Sequence, residues 1–157
     1  MKAITIWQPW ATLIVQGAKP YEFRRWKPPR SLIGQRIAIH AGARPIRRDE
    51  VLTLLAQLYH PRKYGQPCLH APLALPVLEL AKANPKAGAL PLSHIVGTAI
   101  LGEPKRGDLC AAEFGEEAGN DSDRDDTFNF GWPLTDIDKL MPPIPARGAQ
   151  GFWEWTP

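Results

Sequence analysis

Cysteine is scarce in this chain: Cys68 and Cys110 are the only two in 157 residues. They stand far apart and neither has metal-ligand spacing, so they read as free thiols rather than as a disulfide framework or a zinc site. No apolar run approaches the length of a bilayer span. The first residues enter a β-branched strand with no cationic leader, cleavage site or myristoylation pattern, so the expected location is cytoplasmic. No glycine-rich phosphate loop and no internal repeat is present. His60, His70 and His94 lack ligand spacing with any carboxylate pair. The run Asp121-Ser122-Asp123-Arg124-Asp125-Asp126 faintly resembles a calcium loop, but Asp126 stands where the turn glycine is needed and Trp132 where the bidentate Glu belongs. No metal and no cofactor are therefore expected.

Acidic residues are nearly missing from the first third. Residues 1–48 hold ten Lys/Arg against Glu22 alone, a local charge of +9, whereas residues 103–140 hold eleven acids against four bases, a local charge of −7. The whole chain is close to balanced at +3. A basic N-terminal third suits an anionic partner, nucleic acid or nucleotide. The competing reading is that the two segments neutralise each other in the fold.

What is present reads as a mixed chain. Lys2 to Ile6 alternates as a strand, and Gln8 to Gln16 is helical with Pro9 in its first turn and Gly17 at its end. Tyr21 to Trp26 and Gln35 to His40 read as strands. Arg47 to Tyr59 is an amphipathic helix whose apolar stripe comprises Val51, Leu52, Leu54, Leu55, Leu58 and Tyr59. Residues 60–92 are rich in proline and leucine and read as an elaboration of the domain, with a short helix interrupted near Pro76. Ser93 to Glu103 is a strand, and 108–126 an acidic surface segment. Phe128 to Ile137 suggests a strand bent at Trp132-Pro133. Met141 to Pro145 reads as a stiff connector and Gln150 to Trp155 as a last strand. The order β, α, β, β, α, then several strands does not alternate like a doubly wound sheet. It fits an α+β fold, a small mixed barrel with helices against its openings.

The motif Ile4-x-Ile6-Trp7-Gln8-Pro9-Trp10-Ala11-x-Leu13-Ile14, followed by Gly17-x-Lys19-x-x-Glu22-x-Arg24-x-Trp26, resembles the N-terminal half of an ASCH domain. Ile37-Ala38-Ile39-His40-Ala41, Ile95-Val96-Gly97-Thr98-Ala99 and Pro143-Ile144-Pro145-Ala146-Arg147-Gly148-x-Gln150-Gly151-Phe152-Trp153 continue the resemblance in order. They span most of 1–157 as a single domain, with insertions at 60–92 and 108–126. The resemblance implies a PUA-like β-barrel with a cleft and a role in RNA binding. Some small members resemble acetylcytidine hydrolases and others have been assigned ribonuclease activity. The amidohydrolase-like members carry Thr in place of Glu22 as their proposed nucleophile. Since a carboxylate cannot replace it in that mechanism, the departure weighs against simple transfer of that activity.

Lys19 leads the candidates: it can hold a phosphate, polarise a carbonyl or, if desolvated, act as a base. In an extended strand Lys19 and Glu22 face opposite sides, so a shared site requires a turn near Pro20. Arg24 shares a face with Glu22 and can orient it. Trp7 and Gln8 can stack on and contact a base, and Trp26 is a second stacking candidate. Trp10 more naturally fills the barrel end, and Trp153 and Trp155 the core and seam. His40, at a strand end, either projects into the cleft or is a hydrogen-bonded structural residue. The expected function is recognition of RNA, a nucleotide or a modified nucleoside in a basic cleft by Trp7, Gln8, Lys19, Glu22, Arg24, Trp26 and His40. The alternatives are a metal-independent ribonuclease or amidohydrolase with Lys19 and Glu22 as acid and base, and a protein-interaction module using residues 60–92.

Overall fold

The structure is a computed structural model, and it describes residues 1–84, 88–115, 118 and 129–157. The calcium-like run 121–126 lies outside the described residues. The elements are β1 (Lys2–Ile6), α1 (Trp10–Val15), β2 (Tyr21–Arg24), β3 (Arg36–Ala41), α2 (Arg48–Tyr59), α3 (Pro61–Tyr64), α4 (Ala71–Ala83), β4 (His94–Leu101), β5 (Lys105–Arg106), α5 (Gly107–Ala112), β6 (Phe130–Pro145) and β7 (Phe152–Glu154). The sheet runs β2-β6-β4-β3-β1-β7, with β5 joined to β6. β1 and β3 are parallel, and the other pairings are antiparallel.

The sheet curls until its two ends meet. Trp26, just after β2, packs edge-on against Phe152 of β7 at 5.9 Å and against Trp132 of β6 at 4.7 Å. Arg24 Nη2 donates to Thr5 O at 3.1 Å, tying β2 to β1 beyond the last rung of β7. The result is the α+β, curled half-barrel with flanking helices that the element order suggests.

Alternation explains the layers. Ile4, Ile6, Ile37, Ile39 and Leu101 bury one sheet face against Ala11, Ile14 and Val15 of α1. The opposite side of α1 offers Leu13 to a second cluster with Val51, Leu54 and Leu55 of α2 and Val77, Leu78 and Ala81 of α4. On the outer face, Ala3, Ala38 and Ile95 pack under Trp155. The stripe of α2 is narrower than its composition suggests: Leu52 and Tyr59 are exposed, because the buried arc is confined to Val51, Leu54 and Leu55.

Two proline-rich segments differ from expectation. The helix read as interrupted near Pro76 is a continuous helix of 13 residues. Pro76 lies inside the helix and lacks the bond to Pro72 O, and burial of Ala74, Val77, Leu78 and Ala81 offsets its cost of about 3 kcal/mol. The stiff connector at Met141–Pro145 is the end of one strand of 16 residues. β6 pairs with β2 only through Pro133, so beyond it one edge faces no strand among the described residues, and prolines are tolerated where no ladder bond is needed.

Candidate functional site

Helix α1 ends in a left-handed Gly17 (φ 73°), and the N–H groups of Gly17 and Ala18 donate to Ile14 O and Leu13 O at 2.8 and 2.9 Å. Lys19 N–H also bonds Leu13 O, at 3.1 Å, so Lys19 belongs to the turn and β2 begins only after Pro20. This is the turn that the Lys19–Glu22 spacing requires. Lys19 Nζ donates to Tyr21 O and lies 3.3 Å from Glu22 Oε2. It sits over the rings of Phe23 and Trp10, at 5.1 and 5.9 Å. Glu22 Oε1 accepts from Arg24 Nε at 2.8 Å.

One carboxylate therefore sits between two cations. Lys19 is buried at 1% exposure and the Glu22 side chain at 9%, while Arg24 keeps 30%. The relay opens to solvent at Arg24. Its Nη2 holds Thr5 O, and its Nη1 has no protein partner among the described residues.

Trp7 follows β1 at this same end of the parallel pair. It is 51% exposed, and the Arg44 guanidinium packs against it with Cζ 3.9 Å from the ring centroid. Arg44 in turn is forked onto Glu50 of α2 at 3.0 and 2.7 Å. The half-exposed ring is thus backed by a guanidinium that Glu50 holds in place. The sequence does not mark Arg44 and Glu50, because their contacts join a loop, a helix start and a strand end with no local signature.

His40 and Gln8 lie apart from any open surface. His40 is 1% exposed; its Nε2 lies 3.0 Å from Ala146 O and its Nδ1 3.2 Å from Thr5 Oγ1. A carbonyl only accepts, so Nε2 carries the proton. The single hydroxyl proton of Thr5 serves His40 Nδ1 and Ala149 O, 2.9 Å away, in turn, and Thr5 Oγ1 accepts from Trp153 Nε1 at 3.1 Å. His40 and Thr5 together fasten the segment 146–149 across the carboxyl end of β1. Gln8 is 0% exposed: its Nε2 donates to Thr12 Oγ1 and Pro91 O at 2.8 and 2.9 Å, and its Oε1 accepts from Thr12 N at 3.1 Å. Its amide is occupied within the protein. Trp26 is 40% exposed, but its edge contacts bind it to the seam, where its carbonyl accepts from Trp132 Nε1 at 3.1 Å.

The ASCH domain family model matches residues 4–99, from β1 through most of β4. The chain belongs to the ASCH domain family. Among solved structures it is similar to the ASCH protein of Zymomonas mobilis, with TM-score 0.50 and 20% identity over 92% of this chain and 72% of that one. Two single-substitution variants of that protein align with TM-score 0.47, at 21% and 20% identity, over 92% of this chain and 74% and 72% of theirs. At such identity the likeness concerns the fold. A search of curated proteins finds no match.

Within this ASCH domain, two properties of the His40 fastening are measurable. Burial pushes the His40 imidazole below its ordinary value of 6.5, with the bond to Ala146 opposing. The unfolded chain then takes up the His40 proton more readily than the fold does. Stability is complete above about pH 6.5 and falls as pH drops through the window below it. Urea unfolding at about pH 7.5 and about pH 5 should show this loss, and His40→Asn should flatten it.

Gly148 faces the same pair. A Cβ there would stand 2.6 Å from His40 Nδ1 and 2.8 Å from Thr5 Oγ1. Gly148→Ala is expected to cost about 1–3 kcal/mol by overpacking and to loosen segment 146–149, read as faster hydrogen exchange there.

Proposed function

We propose that this ASCH domain recognises single-stranded RNA or a modified nucleoside at the carboxyl end of the β1–β3 pair. The observation that carries the reading is the Lys19–Glu22–Arg24 relay. Glu22 holds Lys19 on one side and the Arg24 Nε on the other, and Arg24 is the member of the three that reaches solvent. A guanidinium with a free Nη1 and a fixed Nε suits a phosphate oxygen. Trp7 on its Arg44 base offers the adjoining ring for a nucleobase. Exposed Arg147, between two residues that touch His40, adds a second cation with no counter-ion among the described residues.

In this reading Arg24, Trp7 and Arg147 meet the ligand. Lys19 and Glu22 act as positioning residues that fix Arg24, and Gln8 and His40 hold the surrounding chain. Trp26 flanks the site from the seam. The hydrolase alternative rests on the 3.3 Å approach of Lys19 to Glu22. It requires a substrate to reach an ammonium that is 1% exposed and already donating to Tyr21 O, which favours recognition over catalysis. The test is titration of labelled single-stranded RNA with purified protein in chelator, followed by inspection of the RNA. Saturable binding with intact RNA is the expected result. Turnover that is lost in Lys19→Met would instead establish the hydrolase.

A further inference from the structure

A groove of about 350 Å³ lies on the other side of α1 from this site. Its walls are Val15 and Gln16 at the end of α1, Val77 and Leu80 of α4, and Lys139 and Met141 of β6. It exists because β6 leaves the ladder. Between the rungs Gly97↔Lys139 and Ile95↔Ile144, the single residue Val96 faces Leu140–Pro143, which bulge outward. The bulge carries Met141 out to 75% exposure, and Leu80 opposite is 48% exposed. The far end is closed by Leu90 and Pro91, and the carbonyl of Pro91 is held by buried Gln8 at 2.9 Å.

The lining is apolar apart from a few groups. Lys139 is exposed at the rim and has no counter-ion among the described residues, and the Gln16 amide beside it has no hydrogen-bond partner among them. An apolar cleft of this size with one convergent cation suits a small amphipathic ligand. We propose that the groove binds an aliphatic monocarboxylate, its chain between α4 and the β6 bulge and its carboxylate at Lys139. A bare apolar ligand would leave Lys139 unused, and a polyanion would find one cation only.

The test uses the whole protein and a series of hexanoate, octanoate and decanoate, below the concentrations at which they form micelles, with the matching alcohols as neutral controls. Calorimetry should give saturable binding that tightens up to about fourfold per methylene until the chain fills the groove. Lys139→Met should weaken carboxylate binding about threefold and leave the alcohols unchanged. Leu80→Trp, at an exposed rim position, should block the groove without unfolding the protein, as checked by thermal melting. Neither variant touches the Arg24 site, so RNA binding should persist in both. The proposal is overturned by absent saturation, by affinity independent of chain length, or by binding indifferent to Leu80→Trp.

Discussion

Glu22→Gln should lower the unfolding free energy by about 3–5 kcal/mol, far more than Lys19→Met. The two substitutions break the same contact from opposite sides, and the difference lies in what each leaves behind. Glutamine keeps the shape of Glu22 and removes the charge lying 3.3 Å from Lys19 and 2.8 Å from Arg24. An ammonium at 1% exposure then stays among Trp10, Phe23 and Tyr21 and loses the carboxylate charge beside it. In Lys19→Met, Glu22 retains Arg24, and the methionine chain fits the same aromatic contacts. Its main cost is the hydrogen bond to Tyr21 O, about 1–2 kcal/mol. Urea titrations with unchanged m-values measure both. Equal costs, or a larger one for Lys19→Met, would show that Glu22 does not serve as the shared counter-charge.

Trp7→Ala should weaken single-stranded RNA binding by about 1–3 kcal/mol, roughly 5- to 150-fold, with little effect on stability. Half of the ring is already in water, so its removal uncovers little core. The affinity depends on the ring being held in place, and Arg44 supplies that through its fork on Glu50. Trp26→Ala should behave in the opposite way. Its contacts with Trp132 and Phe152 close the ends of the sheet, so the loss appears first in stability. Fluorescence anisotropy beside thermal melting separates the two effects. Equal binding by wild type and Trp7→Ala would remove the stacking platform from the proposed site.

The parts of the fold legible in the sequence are those governed by local periodicity and end signals. Ile4 and Ile6 against Ile37 and Ile39, and the Gly17 stop, announce a β-α-β opening whose motifs mark an ASCH domain. The Lys19–Glu22–Arg24 grouping was legible for the same reason: a two-residue step shares a strand face, and Pro20 marks the turn that brings Lys19 round. Gln8 was not legible, because its burial depends on Pro91, which reaches it only through the packing of the 60–92 segment. For His40 the sequence leaves two readings open, and its contacts with Ala146 and Thr5 favour the structural one. The length of β6 is hidden by Pro142, Pro143 and Pro145, which lie beyond the last rung with β2. Local propensity penalises them, but a strand whose edge there is unpaired among the described residues accommodates them. The opposed charges of the two segments meet at Arg36 and Asp136, yet Arg44 and Lys2 pair with Glu50 and Glu154 instead. Net charge along a chain does not specify its partners.

The most direct test of recognition at the Arg24 end is the salt dependence of binding to a short single-stranded RNA, for wild type and Arg24→Ala. The logarithm of affinity should fall linearly with the logarithm of salt concentration, and Arg24→Ala should bind more weakly with a slope shallower by about 0.7 for the lost phosphate contact. Absent binding, or an affinity and slope unchanged by Arg24→Ala, would contradict the assignment of this site to RNA.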